Sequence, residues 1–185
     1  MTIGFNHLGR HGRLGNQMFQ YAGLRGIAAH RGFDFMIPDS DFKDEWTDHQ
    51  LFEAFKLKGL TNIGMCPGTY VGEAHFHYDA NLFNNMPDNH NVYAYLQSTK
   101  YFDHIEDEIR EDFEFKNEIR VPCEDMIATV SDPIALHVRR GDYIQNCDNH
   151  PPCPKEYYDA ALSKFDNKRN VIIFSDDPEW CGTEF

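Results

Sequence analysis

Residues 134–143 combine a short apolar run with side chains that can bind an anion. The run is strand-like and too short to form a helix of its own. His137, Arg139, Arg140 and Asp142 therefore fall at the carboxyl end of a predicted strand, where open α/β sheets bind their ligands. The planar guanidinium stays charged and offers paired donors to phosphate oxygens. The cluster predicts a binding site for an anionic, phosphate-bearing ligand.

The distribution of charge supports an anion site in an otherwise acidic protein. The chain has 30 Asp and Glu against 17 Lys and Arg, a net charge of −13, which argues against nucleic acid or anionic membrane as a partner. Its first 33 residues nevertheless contain no acid and hold seven of the thirteen glycines. This segment carries Arg10, Arg13, Arg25, Arg31, His7, His11 and His30. We expect both basic segments to surround an anion; the alternative is that these charges lie at helix ends and in solvated loops.

Length and composition predict a cytoplasmic protein with at most a peripheral association with membranes. The 185 residues suffice for one large domain, or for one domain and part of another. No apolar run approaches the roughly 20 residues that span a bilayer, and the N-terminus lacks the apolar stretch of a signal peptide. The five cysteines are scattered and odd in number, which is typical of free thiols in a reducing compartment.

The first half of the chain predicts the start of a parallel α/β sheet. A strand over 2–5, a glycine loop, a helix from 16 to about 32 and a strand over 33–37 form a βαβ unit. Residues 39–90 lack clean periodicity, so short helices and loops are expected there. A strand over 92–96 follows, and Ser98 or Thr99 is expected to cap the next helix.

The second half predicts another βαβ unit. An amphipathic stretch after Pro122 leads to an Asp-Pro pair at 132–133, which marks a plausible domain junction. Strands are predicted over 134–138 and 171–174, with a loop over 145–154 and a helix over 155–165 between them. The acids after the second strand lie where such units contact a ribose or a base. Together the two halves predict an α/β fold.

Four segments resemble glycosyltransferase family 11, the α-1,2-fucosyltransferases. Residues 11–22 read HGRLGNQMFQYA and are similar to the N-terminal signature of that family. Residues 137–143 resemble its His-x-Arg-Arg-x-Asp motif, and residues 173–181 resemble its second donor motif. Residues 95–102 are similar to its middle segment. The four matches occur in the family's order and cover nearly the whole chain.

The resemblance implies a fold and a reaction. The fold is GT-B-like, with Rossmann-type parallel sheets that carry helices on both faces. Residues 1–131 would form the N-terminal, acceptor-side domain, and residues 132–185 would begin the donor-nucleotide domain. The reaction is the transfer of L-fucose from GDP-L-fucose to a hydroxyl of a glycan acceptor, with inversion and without a metal or other cofactor.

The resemblance also implies roles for particular residues. His137, Arg139 and Arg140 would belong to the donor site, where an arginine neutralises the departing diphosphate. Asp142 is expected to hold an arginine or the loop in place. Two further groups are expected to bind the donor: Ser175, Asp176 and Asp177 near the nucleotide, and Arg13, Gly15, Asn16 and Gln17 lining the cleft from the facing domain. The general base is left open.

One departure from the family leads to two hypotheses. Family members continue beyond the second donor motif to a third motif, whereas this chain stops at Phe185. We therefore expect the donor domain to be incomplete. Either a second polypeptide completes it, or the gene is truncated, or the chain has adapted to the shorter domain. The chain is either a fucosyltransferase or a non-catalytic remnant that binds a nucleotide or a partner chain.

Other candidate ligands are weaker. Cys147, Asp148, His150 and Cys153 include residue types that bind zinc. Two prolines separate the last two of them and no Cys-x-x-Cys pair is present, so the segment is predicted to be a structural loop. No metal site is expected in this chain.

Overall fold

The computed structural model describes residues 1–42 and 48–185, and these form two compact units. Unit 1 is Met1–Ile119 and unit 2 is Arg120–Phe185. The division of the chain into domains 1–131 and 132–185 stays a prediction. Helix α5, Asn117–Ala128, contains Pro122. The predicted irregular region 39–90 includes residues 43–47, which lie outside the described residues.

Unit 1 contains a four-stranded parallel sheet. Its strands are β1 (Thr2–Gly4), β2 (Asp34–Met36), β3 (Tyr70–Gly72) and β4 (Asn91–Tyr93). Their order is β2-β1-β4-β3, and every pairing is parallel. Three of these strands confirm the prediction from the sequence. Strand β3 falls in the segment 39–90, which lacks clean periodicity and for which only helices and loops were predicted.

Helix α1, Leu14–Arg31, packs against the sheet and supplies much of the buried core. It confirms the predicted helix, including its end, where Gly32 adopts a left-handed conformation with φ of 67°. Tyr21, Leu24 and Ile27 on α1 are fully buried. The remaining α-helices of this part of the chain are α2 (Gln50–Ala54), α3 (Ala80–Asn85) and α4 (Glu106–Asp112).

The helix expected to begin at Ser98 or Thr99 is different in the structure. Two short 3-10 turns, Thr99–Tyr101 and Asp103–Ile105, precede α4. The prediction of a side-chain cap is wrong, since Ser98 makes no capping hydrogen bond. Phe102 lies between the two turns with φ of −141° and ψ of 5°, which interrupts a regular helix.

A buried carboxylate connects three parts of unit 1. Asp112, at the end of α4, is 1% exposed and accepts hydrogen bonds from the Tyr21 hydroxyl and the Gly59 N–H, each at 2.6 Å. It also forms an ion pair with Arg25 on α1. Burial, and then the hydrogen bond to Asp112, raise the pKa of Tyr21, so its hydroxyl stays protonated and donates. Asp112 therefore joins α1, α4 and the 57–60 turn.

Unit 2 is built on two parallel strands. They are β5 (Ile134–Val138) and β6 (Val171–Ser175), which pair along their whole length. Helix α6 (Gly141–Gln145) and helix α7 (Lys155–Leu162) lie between them in sequence, and α8 (Pro178–Glu184) follows β6. The predicted βαβ unit is confirmed. The predicted loop over 145–154 starts one residue later than expected, after α6.

The core of unit 2 lies on one face of this strand pair. Leu136 and Val138 pack with Tyr158 of α7 and Cys181 of α8. The other face carries His137 and Phe174, which are exposed. The α/β fold class and the parallel sheets are confirmed, and all five cysteines are free thiols as predicted. Within residues 1–42 and 48–185, no helix combines the length and apolar character needed to cross a bilayer.

Replacing Asp112 by Asn should lower the free energy of unfolding by about 3 kcal/mol, because the Arg25 charge would lose its partner in the interior. Chemical denaturation measures this difference. Glu111→Gln is the matched control, since Glu111 is the preceding, exposed carboxylate of the same helix. Equal stabilities of the two variants would contradict the role given to Asp112.

Candidate functional site

The backbone at Arg140 is held by the neighbouring strand. Because β5 and β6 are parallel with Val138 opposite Ser175, the residues that follow both strands meet at one edge. The Arg140 N–H donates to Oδ1 of Asp176 at 2.8 Å. Gly141 lies so close that a Cβ there would stand 2.9 Å from Oδ2 of Asp176. A side chain at position 141 would therefore displace the carboxylate of Asp176.

The Arg140 side chain is positioned by two groups from the segment after β6. Its Nε donates to Oδ2 of Asp177 at 3.1 Å, and its guanidinium carbon lies 4.0 Å from the centre of the Trp180 ring. Within the described part of the chain, its two terminal nitrogens make no hydrogen bond. A guanidinium anchored through Nε and an aromatic face keeps its outer donors available for an anion. Trp180 was not among the residues predicted for the site.

Arg139 is oriented within its own loop. Its Nε and Nη2 donate to the two carboxylate oxygens of Asp142 at 3.1 and 2.7 Å. The guanidinium also lies 4.5 Å from the centre of the Tyr143 ring, which stacks on His150. The hydrogen bond with Asp142 is the main cause that raises the pKa of Arg139. Asp142 thus makes the arginine contact that the sequence analysis expected.

The predicted nucleotide-binding residues after β6 contact protein groups in this structure. Asp177 caps α8 by accepting the Trp180 N–H at 3.1 Å, and its own N–H donates to Oγ of Ser175 at 2.9 Å. The Arg140 N–H, and then the Gly141 N–H, lower the pKa of Asp176. These side chains organise the arginine, and their contact with a nucleotide stays a prediction.

His137 lies apart from these contacts. Side chains alternate along β5, so Leu136 and Val138 are buried and His137 is exposed on the opposite face. The His137 side chain makes no hydrogen bond within the described residues, whereas its backbone belongs to the β5–β6 pairing. The structure therefore brings Arg139, Arg140, Asp142, Asp176 and Asp177 together at the strand ends and leaves His137 on the sheet surface.

In unit 1, the N-terminal motif places its residues on different sides of α1. Arg13 precedes the helix and is exposed, and its side chain forms no hydrogen bond or ion pair within the described residues. Among residues 1–42 and 48–185, a Cβ added to Gly15 would meet nothing within 4 Å, so none of these residues requires a glycine there. Oδ1 of Asn16 accepts a hydrogen bond from Nε2 of Gln97 at 2.7 Å. Gln97 was not predicted as a site residue, although it belongs to the middle segment.

The expectation that Gln17 lines a cleft is wrong. Gln17 is fully buried, its Nε2 donates to the Asp48 carbonyl at 2.6 Å, and its Oε1 accepts the Leu51 N–H at 3.3 Å. Successive helix residues point about 100° apart, so a half-buried Asn16 is compatible with a fully buried neighbour. Gln17 therefore holds the segment before α2 against α1.

The described residues contain no group of three or more His, Cys, Asp or Glu side chains arranged to hold a metal ion. This applies to Cys147, Asp148, His150 and Cys153, which lie in and around the loop after α6.

Comparison with solved structures shows the class of fold. The crystal structure of the fucosyltransferase NodZ from Bradyrhizobium matches 98% of this chain and 74% of its own, with a TM-score of 0.58 and 14% identity. A structure of NodZ soaked with GDP-fucose gives a TM-score of 0.57, also at 14% identity. This likeness concerns the fold alone: the chain has the α/β fold of a fucosyltransferase.

Comparison of sequences shows the family. The model of glycosyl transferase family 11 matches residues 72–185, a segment that includes the whole Arg140 site. The chain belongs to glycosyl transferase family 11 and is thereby a member of a transferase family, which confirms the resemblance found in the sequence.

Three curated relatives are distant and longer. An alpha-1,2-colitosyltransferase of Escherichia coli is 25% identical over 201 residues, covering 92% of this chain and 68% of the relative. Galactoside alpha-(1,2)-fucosyltransferase 2 of Sus scrofa is 24% identical over 187 residues, covering 92% of this chain and 53% of that relative. The O-antigen biosynthesis glycosyltransferase WbnK of Escherichia coli is 27% identical over 129 residues, covering 63% of this chain and 43% of that relative.

Lowering the pH should reduce the stability of unit 2, because Asp176 becomes protonated. The pKa of Asp176 in the folded protein lies below the ordinary value of an aspartate. Ionised Asp176 therefore stabilises the fold at a pH above the ordinary value, and this stabilisation is lost as the pH falls through the pKa of the folded protein. Between about pH 6 and about pH 3, Asp176→Asn should lose less stability than the parent chain. Urea titrations followed by Trp180 fluorescence in a Trp46→Phe background measure this.

Glu179→Gln serves as the control, since Glu179 is an exposed carboxylate in the first turn of α8. It should show the acid sensitivity of the parent chain. The same sensitivity in Asp176→Asn would refute the contribution of Asp176.

Proposed function

We propose that the chain binds GDP-L-fucose and transfers L-fucose to a hydroxyl of a galactose-containing glycan. The observation that carries this proposal is the anchored Arg140 at the carboxyl end of a parallel strand, whose terminal nitrogens make no hydrogen bond to any residue that the structure describes. Membership of a glycosyl transferase family supports the class of reaction. The names of the relatives, and the soaking of NodZ with GDP-fucose, support the choice of sugar.

In the proposed reaction, the acceptor oxygen attacks C1 of fucose from the side opposite the diphosphate. A C–O bond forms to the acceptor while the bond between C1 and the phosphate oxygen breaks. The electron pair of that bond leaves with GDP, and the acceptor proton passes to a base or to solvent. Negative charge grows on the leaving diphosphate, so a fixed guanidinium stabilises the transition state more than the bound donor.

Arg140 suits this task better than Arg139. Arg139 already uses two of its three nitrogens on Asp142, whereas Arg140 uses only Nε on Asp177. We assign the principal diphosphate contact to Arg140 and a supporting contact to the remaining nitrogen of Arg139. Since these guanidinium groups supply the positive charge, turnover should persist in the presence of a metal chelator.

A second donor follows from one particular comparison. The colitosyltransferase of Escherichia coli matches 92% of this chain. GDP-colitose is therefore the competing donor, and parallel assays with GDP-fucose and GDP-colitose decide between them by the ratio of kcat/KM. The non-catalytic alternative predicts binding of GDP without transfer of either sugar, so the same assays with a GDP-release readout test it.

Arg140→Ala should weaken the binding of GDP and GDP-fucose by at least about tenfold, because a charged hydrogen bond to phosphate is lost. Arg140→Lys should recover only part of the affinity, because an ammonium cannot offer paired donors. Isothermal titration calorimetry measures both. Arg169→Ala is the matched control: it removes an arginine that pairs with Asp132 near the opposite ends of the same strands. Unchanged affinity in Arg140→Ala would refute the assignment.

Gly15→Ala separates a structural role from a ligand-binding one. Alanine favours a helix by up to about 1 kcal/mol over glycine, and the added Cβ meets no protein atom, so thermal stability should stay equal or rise. If the space beside Gly15 receives substrate, kcat/KM should nevertheless fall. Gly182→Ala on α8 is the control, since its Cβ also meets nothing within 4 Å. Full activity in Gly15→Ala would exclude substrate from that space.

A further inference from the structure

An aromatic pocket lies at the carboxyl edge of the sheet in unit 1. The segments that follow β1, β3 and β4 meet there, because all strands of this sheet are parallel. They enclose a cavity of about 300 Å³ that is lined by His11, Glu73, Phe76, Tyr93 and Tyr95. This volume is at the lower end of the range for ligand pockets and suits a single ring-sized group.

The walls of this pocket are aromatic and partly open to solvent. The rings of Phe76 and Tyr95 lie 5.9 Å apart, and those of His11 and Tyr93 lie 4.9 Å apart. Phe76 is 74% exposed and Tyr93 is 47% exposed. Flat apolar faces beside a few polar groups are suited to a ligand with one apolar face and several hydroxyl groups, and a pyranose ring is such a ligand.

A fixed carboxylate supplies one polar group. Oε1 of Glu73 accepts the Tyr95 N–H at 2.9 Å, and Oε2 accepts the Leu96 N–H at 3.3 Å. Each carboxylate oxygen has a second lone pair that can accept from a hydroxyl. Leu96 has a positive φ of 53°, which is uncommon for a residue with a side chain. Glu73 thus holds this strained turn and faces the cavity at the same time.

An imidazole supplies the other polar group. Nε2 of His11 is buried and has no hydrogen-bond partner within the described residues. The Tyr93 ring packs edge-on against this imidazole and is half-exposed, so a rotation of that ring would open Nε2 to the cavity. A buried polar atom without a partner is unfavourable, so a hydroxyl that reaches Nε2 gains a contact that the free protein lacks. Burial, and then the charge of Arg10, lower the pKa of His11, which keeps the ring neutral and able to accept.

We propose that this pocket binds one pyranose ring of the glycan acceptor. Phe76 and Tyr95 stack on the apolar face of the ring, and Glu73 and His11 hydrogen-bond its hydroxyl groups. The proposal rests on the proposed function, and it names the residues of unit 1 that recognise the acceptor sugar.

Phe76→Ala tests the stacking contact. Phe76 is mostly exposed, so the variant should fold as the parent chain does. Saturation-transfer NMR with methyl β-D-galactopyranoside should show binding to the parent chain and a loss of about tenfold in affinity in the variant. The affinity for GDP-fucose should not change. Phe115→Ala is the control, since Phe115 is a half-exposed phenylalanine of unit 1 that does not line the pocket.

Glu73→Gln and His11→Phe test the polar contacts. Each variant should raise the KM for the acceptor while the KM for GDP-fucose stays constant, and circular dichroism verifies the fold of each. A panel of methyl glycosides extends the binding test to glucose, mannose and N-acetylglucosamine.

The outcomes separate this inference from the proposed function. A parent chain that transfers fucose, with a Phe76→Ala variant whose acceptor KM is unchanged, would overturn the pocket alone. A parent chain that binds no glycoside of the panel also overturns it. A parent chain that binds a glycoside through Phe76 but does not bind GDP-fucose would overturn the proposed donor and leave the pocket in place.

Discussion

The contact between Arg140 and the two aspartates after β6 is the constraint on which the proposed donor site depends. Parallel pairing brings the ends of β5 and β6 to one edge, and there Asp176 holds the Arg140 backbone while Asp177 and Trp180 hold its side chain. The guanidinium is thus oriented before any ligand arrives. A preorganised charge loses little conformational freedom when it binds an anion.

In unit 1, buried polar side chains hold loops in place, as the aspartates hold Arg140 in unit 2. Buried Gln17 and Asp112 satisfy backbone and side-chain donors from segments far apart in sequence, so the loops around α1 are held in place. Buried polar groups stabilise a fold only when each has its partners, and these two do. The loops that they fix leave Asn16 in contact with Gln97 and place His11 at the rim of the aromatic pocket.

The two units therefore present different chemistry at equivalent places. In unit 2, arginines held by carboxylates lie beyond the strand ends and suit a phosphate. In unit 1, aromatic rings, a carboxylate and a neutral histidine lie beyond the strand ends and suit a sugar. A transferase that joins a nucleotide-activated sugar to a glycan needs both kinds of recognition, and this division agrees with the family to which the chain belongs.

The sequence by itself determined the fold class, the family and most of the strands and long helices, because apolar periodicity, Gly32 and the Arg-Arg motif are local signals. It could not show that Gln17 is buried, that His137 takes no part in the contacts around Arg140, or that Trp180 supports Arg140. Nor could it reveal β3 or the pocket around Phe76. Those features depend on strand order and on contacts between residues distant in the chain, so only the tertiary structure decided them.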